Sequence, residues 1–230
     1  ILERLANFDP GNCMEISRAT GLISKMIDFT SYRNYITSIN EEHQIMLAGL
    51  SLRVLRTLAS TKGKFGVTLR QQILEHSFVL NNLAEILNDS VGGRELRELA
   101  AEIIKNLAMD RNASEDIGHC PVIISGLMRA FLSQVSSHLL RKITGQALAM
   151  LAMESANNCL LMLREPGFVF IEELTAMIRY DKYKYTAVSL LGSMCEHAWS
   201  ELSNSDLKEL SYTLQEVSAA NSSFFLPFCF

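Results

Sequence analysis

Glu98–Ala108 reads ELAAEIIKNLA, and the same eleven-residue pattern returns three more times: GLSLRVLRTLA at Gly49–Ala59, KITGQALAMLA at Lys142–Ala152 and TAVSLLGSMCE at Thr186–Glu196. Aligned on their penultimate residues, Leu58, Leu107, Leu151 and Cys195, the copies lie 49, 44 and 44 residues apart. A period of this size is the signature of a helical solenoid, in which each unit buries its apolar face only by stacking on the next.

Within each copy the apolar residues follow helical spacing. Three and four positions before the anchors stand Leu55 and Val54, Ile104 and Ile103, Leu148 and Ala147, and Gly192 and Leu191. Those positions share one helical face with the anchor. Seven before it stand Ser51, Ala100, Thr144 and Val188, small or slender side chains that let neighbouring helices approach closely. A second set of apolar stretches precedes the first by about 30 residues: Gly21–Phe29, Ser77–Leu87, Pro121–Leu132 and Pro166–Ile178. Pro121 and Pro166 suit a first helical turn, where the missing N–H has no intrahelical partner to lose. A shorter third set, at Asn12–Thr20, Val67–Glu75, Asn112–Cys120 and Asn157–Arg164, completes a unit of short, medium and long helix.

Composition agrees with an all-α chain. Of 230 residues 48% are hydrophobic, with only 4 Pro and 12 Gly, a low content of helix breakers beside abundant Leu, Ala and Met. The net charge of −4 comes with scattered Lys and Arg, so no basic field exists to concentrate nucleic acid or anionic lipid. Five widely spaced cysteines, Cys13, Cys120, Cys159, Cys195 and Cys229, form neither a disulfide framework nor a metal pattern. Read as reduced core thiols, they point to the cytoplasm or nucleus. No run approaches the roughly 18 apolar residues of a membrane span. The chain opens at Ile1 in mid-helix pattern, as expected of a piece of something longer, and a membrane-attached region upstream is compatible with that.

The stretch Ala100–Ala108 (AAEIIKNLA) resembles the end of the third helix of an armadillo repeat, and Gly21–Phe29 (GLISKMIDF) the opening of its second. Within that family the chain is similar to plant armadillo-repeat proteins. The resemblance covers residues 1–217 and implies a right-handed α-α superhelix of about four full repeats with partial flanking ones. Ile1–Ala6 is similar to the tail of an earlier third helix, and Ser205–Val217 to the first helix of a fifth unit. Two stretches depart from the pattern. Ser31–His43 (SYRNYITSINEEH) lengthens the first complete unit and is either a solvated loop or a contact point, and 218–230, ending SSFFLPFCF, is expected to be an irregular tail.

Signals for catalysis are missing. His119 beside Cys120, and His197 near Cys195, lack the three or four convergent donors that zinc requires. Lys62–Gly66 and Val91–Gly93 lack the strand and the Lys-Ser/Thr ending of a phosphate loop. The adjacent pairs Glu41–Glu42 and Glu172–Glu173 diverge around a helix and cannot share an acid/base site. No cofactor, small-molecule substrate or nucleic acid is implied. What remains is a surface, and the resemblance implies that partners lie along the concave side lined by third helices. Positions one and five before the anchors place Arg53, Thr57, Glu102, Asn106, Gln146 and Met150 there, with Leu190 and Met194 in the fourth unit; Glu98 and Lys142, nine before theirs, extend the row.

Nuclear-import receptors of this family carry Trp four residues before the groove Asn. Here Asn106 matches the Asn, Glu102 stands in the Trp place, and the single Trp, Trp199, lies beyond the last third helix. A receptor for basic targeting peptides is therefore disfavoured. Cationic side chains on this face are sparse, Arg53, Lys105 and Lys142 being the candidates, and the charge of the partner stays open. The expectation is a non-enzymatic scaffold that binds a protein or an extended peptide; the alternative is a structural spacer or oligomerisation segment of a larger protein.

Overall fold

The computed structural model describes residues 1–31, 41–89, 93–153, 155–167 and 169–224, and for Pro10, Glu41 and 217–224 the backbone alone. Among these residues every regular element is helical. In chain order they are α1 (Leu2–Phe8), α2 (Pro10–Arg18), α3 (Leu22–Thr30), α4 (Glu41–Ser60), α5 (Gly63–Leu74), α6 (Val79–Asn88), α7 (Gly93–Leu107), α8 (Arg111–Gly118), α9 (Pro121–Leu132), α10 (His138–Ala152), α11 (Ala156–Leu163), α12 (Phe170–Tyr180), α13 (Lys184–His197) and α14 (Asn204–Phe224). A short 3-10 turn, Trp199–Glu201, precedes α14. The long helices α4, α7, α10 and α13 hold the four copies of the repeated pattern. α1 is the tail of an earlier one, and α2, α5, α8 and α11 are the short helices that follow each.

The chain forms two compact units, Ile1–Met150 and Leu151–Phe230. In the first, α4 packs on α7 and α3, α6 packs on α7 and α9, and α1 closes against α4. In the second, α12 packs on both α13 and α14. The core is built from the anchors and their helical neighbours: Leu55, Leu58, Ile103, Ile104, Leu107, Leu148 and Leu151 are at most 1% exposed, as is Phe131 of α9. The slender positions Ser51, Ala100 and Thr144 are buried as well.

The fourth copy sits one residue out of the expected register. In α13 the buried residues are Ala187, Leu190, Leu191 and Met194, whereas Val188 is 51% exposed and Cys195 is half-buried. Met194 is therefore the anchor. Counting back from it, the positions three, four and seven earlier are Leu191, Leu190 and Ala187, which restores both the apolar face and the small residue. The spacing from Leu151 becomes 43.

What joins one helix to the next is a set of side chains that cap exposed helix ends. The last carbonyls of any helix lack intrahelical donors and must find others. After the third helices, Asn12 Nδ2 donates to the carbonyl of Leu5 (2.9 Å) and Asn158 Nδ2 to that of Leu151 (2.9 Å). The thiols of the next residues, Cys13 and Cys159, donate to Ala6 (3.3 Å) and Ala152 (3.4 Å). The two buried cysteines are thus also donors in the same repeated joint. After the second helices, Arg97 Nε donates to the carbonyl of Leu87 (3.0 Å) and Arg141 Nε to that of Phe131 (2.8 Å).

The joint between α4 and α5 uses another device. Arg70 Nη1 donates to the carbonyls of Ala59 (3.1 Å) and Thr61 (3.0 Å), and its Nε and Nη2 grip both carboxylate oxygens of Asp110 at 2.7 and 3.2 Å. The backbone comes close enough here that a Cβ on Gly66 would lie 1.8 Å from the Thr61 carbonyl oxygen, so only glycine fits.

Three expectations are corrected. Pro166 does not open the second helix of its unit; it turns with Gly167, whose φ of 86° is left-handed, and α12 begins at Phe170. Pro121 does sit in the first turn of α9, and Pro10 does the same for α2, with Asp9 accepting from the Gly11 N–H (2.9 Å). The boundary expected at 217 is crossed by α14, which continues to Phe224. The rest of the tail, 225–230, and residues 32–40 of the insertion lie outside the described residues. Arg179 of α12 fastens α14 through ion pairs to Glu209 (2.8 Å) and Glu216 (2.7 Å) and a hydrogen bond to Thr213 (2.7 Å).

Candidate protein-interaction cleft

An open cleft of about 340 Å³ runs between the third helices of the first unit. Glu95, Glu98, Leu99, Glu102 and Lys105 line it from α7, Leu139, Lys142, Ile143 and Gln146 from α10, and Arg56 from α4. Four of the expected groove residues, Glu98, Glu102, Lys142 and Gln146, are thereby brought to one surface.

The other four are not on its walls. Thr57 is 7% exposed and its hydroxyl donates to Arg53 O (3.0 Å) and approaches Asn7 Oδ1 (3.3 Å). Asn106 is 6% exposed, its Nδ2 without a hydrogen-bond partner. Met150 is half-buried outside the lining, and Arg53 turns to Glu95, with Nε to Oε1 at 3.1 Å. In the fourth unit Leu190 and Met194 are core residues, so the expected apolar extension of the surface is withdrawn.

Helical geometry accounts for the pattern. Each residue advances about 100° around the axis, so the position one before a buried anchor sits on the shoulder of the buried face, and the position two before points nearly opposite. Arg56 and Lys105 occupy that second position and line the cleft; Thr57 and Asn106 occupy the first and are covered. The true lining row is therefore two, five, eight, nine and twelve before the anchor. Counting the angle from the anchor would have found Arg56, Lys105 and Glu95 in the sequence.

Charges in the cleft are largely matched within the chain. Glu95 pairs with Arg53, and that hydrogen bond and charge hold the guanidinium above its ordinary pKa. Glu98 accepts from the Ser137 hydroxyl (2.6 Å) and faces Arg94 at 3.6 Å. Glu102 faces Arg56 at 3.8 Å, and Arg56 also reaches Glu3 at 3.4 Å. Lys105 and Lys142 have no acidic partner among the described residues.

Two other depressions lie elsewhere in the first unit. One of about 620 Å³ separates α5 from α8, and a smaller polar one is bordered by Ser17, Ser24, Gln72 and His76. His76 faces Asp28 at 3.4 Å and accepts the Phe78 N–H at Nδ1, an orienting arrangement with no nucleophile attached. Among the described residues no three His, Cys, Asp or Glu side chains gather as a metal site would need, and no helix is long and apolar enough to cross a membrane.

Cys159 is fully buried, with Sγ also 3.7 Å from the Ser193 carbonyl, and burial, then the nearby Glu196 charge, pushes its thiol up to about 11. The folded chain thus prefers the neutral thiol. Its contribution is complete below pH 9, where the unfolded thiol is still protonated, and is lost as pH rises from 9 towards 11. Urea unfolding of wild type and Cys159→Ala across that range is expected to show a decline in wild type that the variant lacks; parallel curves would remove Cys159 as its source.

No protein-family model matches the sequence, and no curated protein matches it. Solved structures do match in shape. A designed armadillo repeat protein superposes with a TM-score of 0.68 at 14% identity, covering 92% of this chain and 78% of that one. A second designed armadillo repeat protein, solved in complex with the peptide (KR)4, gives the same values. An engineered protein gives 0.66 at 16% identity, over 92% and 77%. The fold is an armadillo-type solenoid. At these identities the likeness is one of fold, and it agrees with the all-helical repeat described above. In armadillo terms, the cleft lies along the third helices of successive repeats.

Proposed function

We propose that this armadillo solenoid is a non-enzymatic interaction scaffold of the cytoplasm or nucleus, which holds an extended segment of a partner protein along the cleft between α4, α7 and α10. The observation that carries the reading is the assembly of Glu98, Glu102, Lys142 and Gln146, from successive repeats, on one open surface with an apolar floor of Leu99 and Ile143. Repeat helices make such sites because the same helical face recurs at each step, matching the regular side-chain spacing of an extended chain. A structural neighbour was solved with a peptide bound, which supports a peptide partner for this shape.

Glu102 and Gln146 are half-buried and neither anchors the core. The double variant Glu102→Ala/Gln146→Ala is expected to weaken affinity capture of the partner while moving the melting temperature little, since such surface changes cost within about 0.5 kcal/mol. Capture of every partner at wild-type yield by the folded double variant would displace the site from this cleft.

A further inference from the structure

By residue count the cleft is evenly charged, with Glu95, Glu98 and Glu102 against Arg56, Lys105 and Lys142. By pairing it is not. Each glutamate already has a cation of this chain beside it: Arg53 for Glu95, Arg94 for Glu98 and Arg56 for Glu102. Glu98 is further occupied by the Ser137 hydroxyl. The two lysines have no such partner among the described residues, and Lys142 is exposed. A cationic segment entering the cleft would have to displace arginines from carboxylates and leave them unpaired, whereas an anionic one would meet two ammonium groups whose only competitor is water.

On the reading that the cleft binds a partner segment, we propose that the segment it selects is acidic and aliphatic. Its carboxylates would pair with Lys105 and Lys142, and its aliphatic side chains would lie on Leu99, Leu139 and Ile143. Leu139 is 50% exposed at the mouth of the cleft, while Leu99 and Ile143 are nearly covered beneath it. Apolar contact at that floor supplies attraction without regard to charge. The sign of charge selected is set by which side chains the chain has left unpaired. The cleft would then prefer the charge opposite to that of the (KR)4 peptide found on the designed neighbour.

The test uses the whole chain and two fluorescein-labelled decapeptides, alternating Glu-Leu and alternating Lys-Leu, with binding read by anisotropy at low and high salt. The two peptides share their apolar content, so their difference reports charge. The Glu-Leu peptide is expected to bind more tightly by at least about tenfold at low salt and to weaken as salt rises. The variant Lys105→Glu/Lys142→Glu, with its fold checked by circular dichroism, should lose that preference or reverse it. Lys105→Arg/Lys142→Arg should keep it.

Tighter binding of the Lys-Leu peptide, equal binding of both, or no effect of the charge reversal would overturn the inference, as would failure of the Glu-Leu peptide to bind. If the Lys-Leu peptide binds and Glu102→Ala/Gln146→Ala weakens it, the cleft remains the partner site and only the acidic preference falls. If partner capture ignores every cleft substitution, it is the site itself that falls.

Discussion

Arg70→Ala is expected to lower the stability of the first unit by about 3–5 kcal/mol, the range for stripping one partner from a buried ion pair. The guanidinium is buried, and it does two things at once. It neutralises Asp110 through two parallel hydrogen bonds and satisfies the carbonyls of Ala59 and Thr61 at the end of α4. Alanine leaves a part-buried carboxylate and carbonyls without donors, in a joint that Gly66 makes too tight for compensating movement. Arg70→Lys should recover only a fraction, because a single ammonium cannot span both carboxylate oxygens and reach the carbonyls as a planar fork does. Urea denaturation followed by circular dichroism measures both. A loss below about 1 kcal/mol for the alanine variant would mean that water replaces the guanidinium at little cost.

Leu107→Ala and Leu151→Ala are each expected to cost about 2–5 kcal/mol, from lost burial and the cavity left behind. Both side chains are completely buried at the ends of third helices. Their carbonyl environments are also tied into the repeat: the Leu151 carbonyl accepts from Asn158, and the Asp110 N–H bonds to the carbonyl of Leu107. A collapsing neighbour would have to disturb those joints, which favours a retained cavity. In a solenoid the damage should spread to the adjacent repeats first, since each repeat is stabilised by its neighbours. Hydrogen exchange should show the nearest helices losing protection before the distant ones. Losses under about 0.5 kcal/mol at both positions would show that neither anchor is core.

The all-helical repeat, its period and most of its core were legible in the sequence, because burial in helices leaves a periodic mark that needs only local geometry to read. The pattern around Leu58, Leu107 and Leu151 recurs almost position for position, so three of the four long helices and their buried faces followed directly. The fourth did not. In TAVSLLGSMCE both Met194 and Cys195 can serve as an apolar anchor, and composition alone does not choose; packing buries Ala187, Leu190, Leu191 and Met194 and turns Val188 outward.

The cleft divides in the same way. Glu98, Glu102, Lys142 and Gln146 were reachable from the repeat, because their angle from the anchor carries them away from the core whatever lies opposite. Thr57 and Asn106 stand on the shoulder of the buried face, where exposure depends on the neighbouring helix, and only the tertiary structure could show them covered. Pairings were further from reach. Arg70 lies 40 residues from Asp110, Arg53 lies 42 from Glu95, and Arg56 lies 53 from Glu3. Sequence determined which residues carry charge, while folding decided which charges cancel, since a pair forms only where two separate helices bring its members within hydrogen-bonding distance.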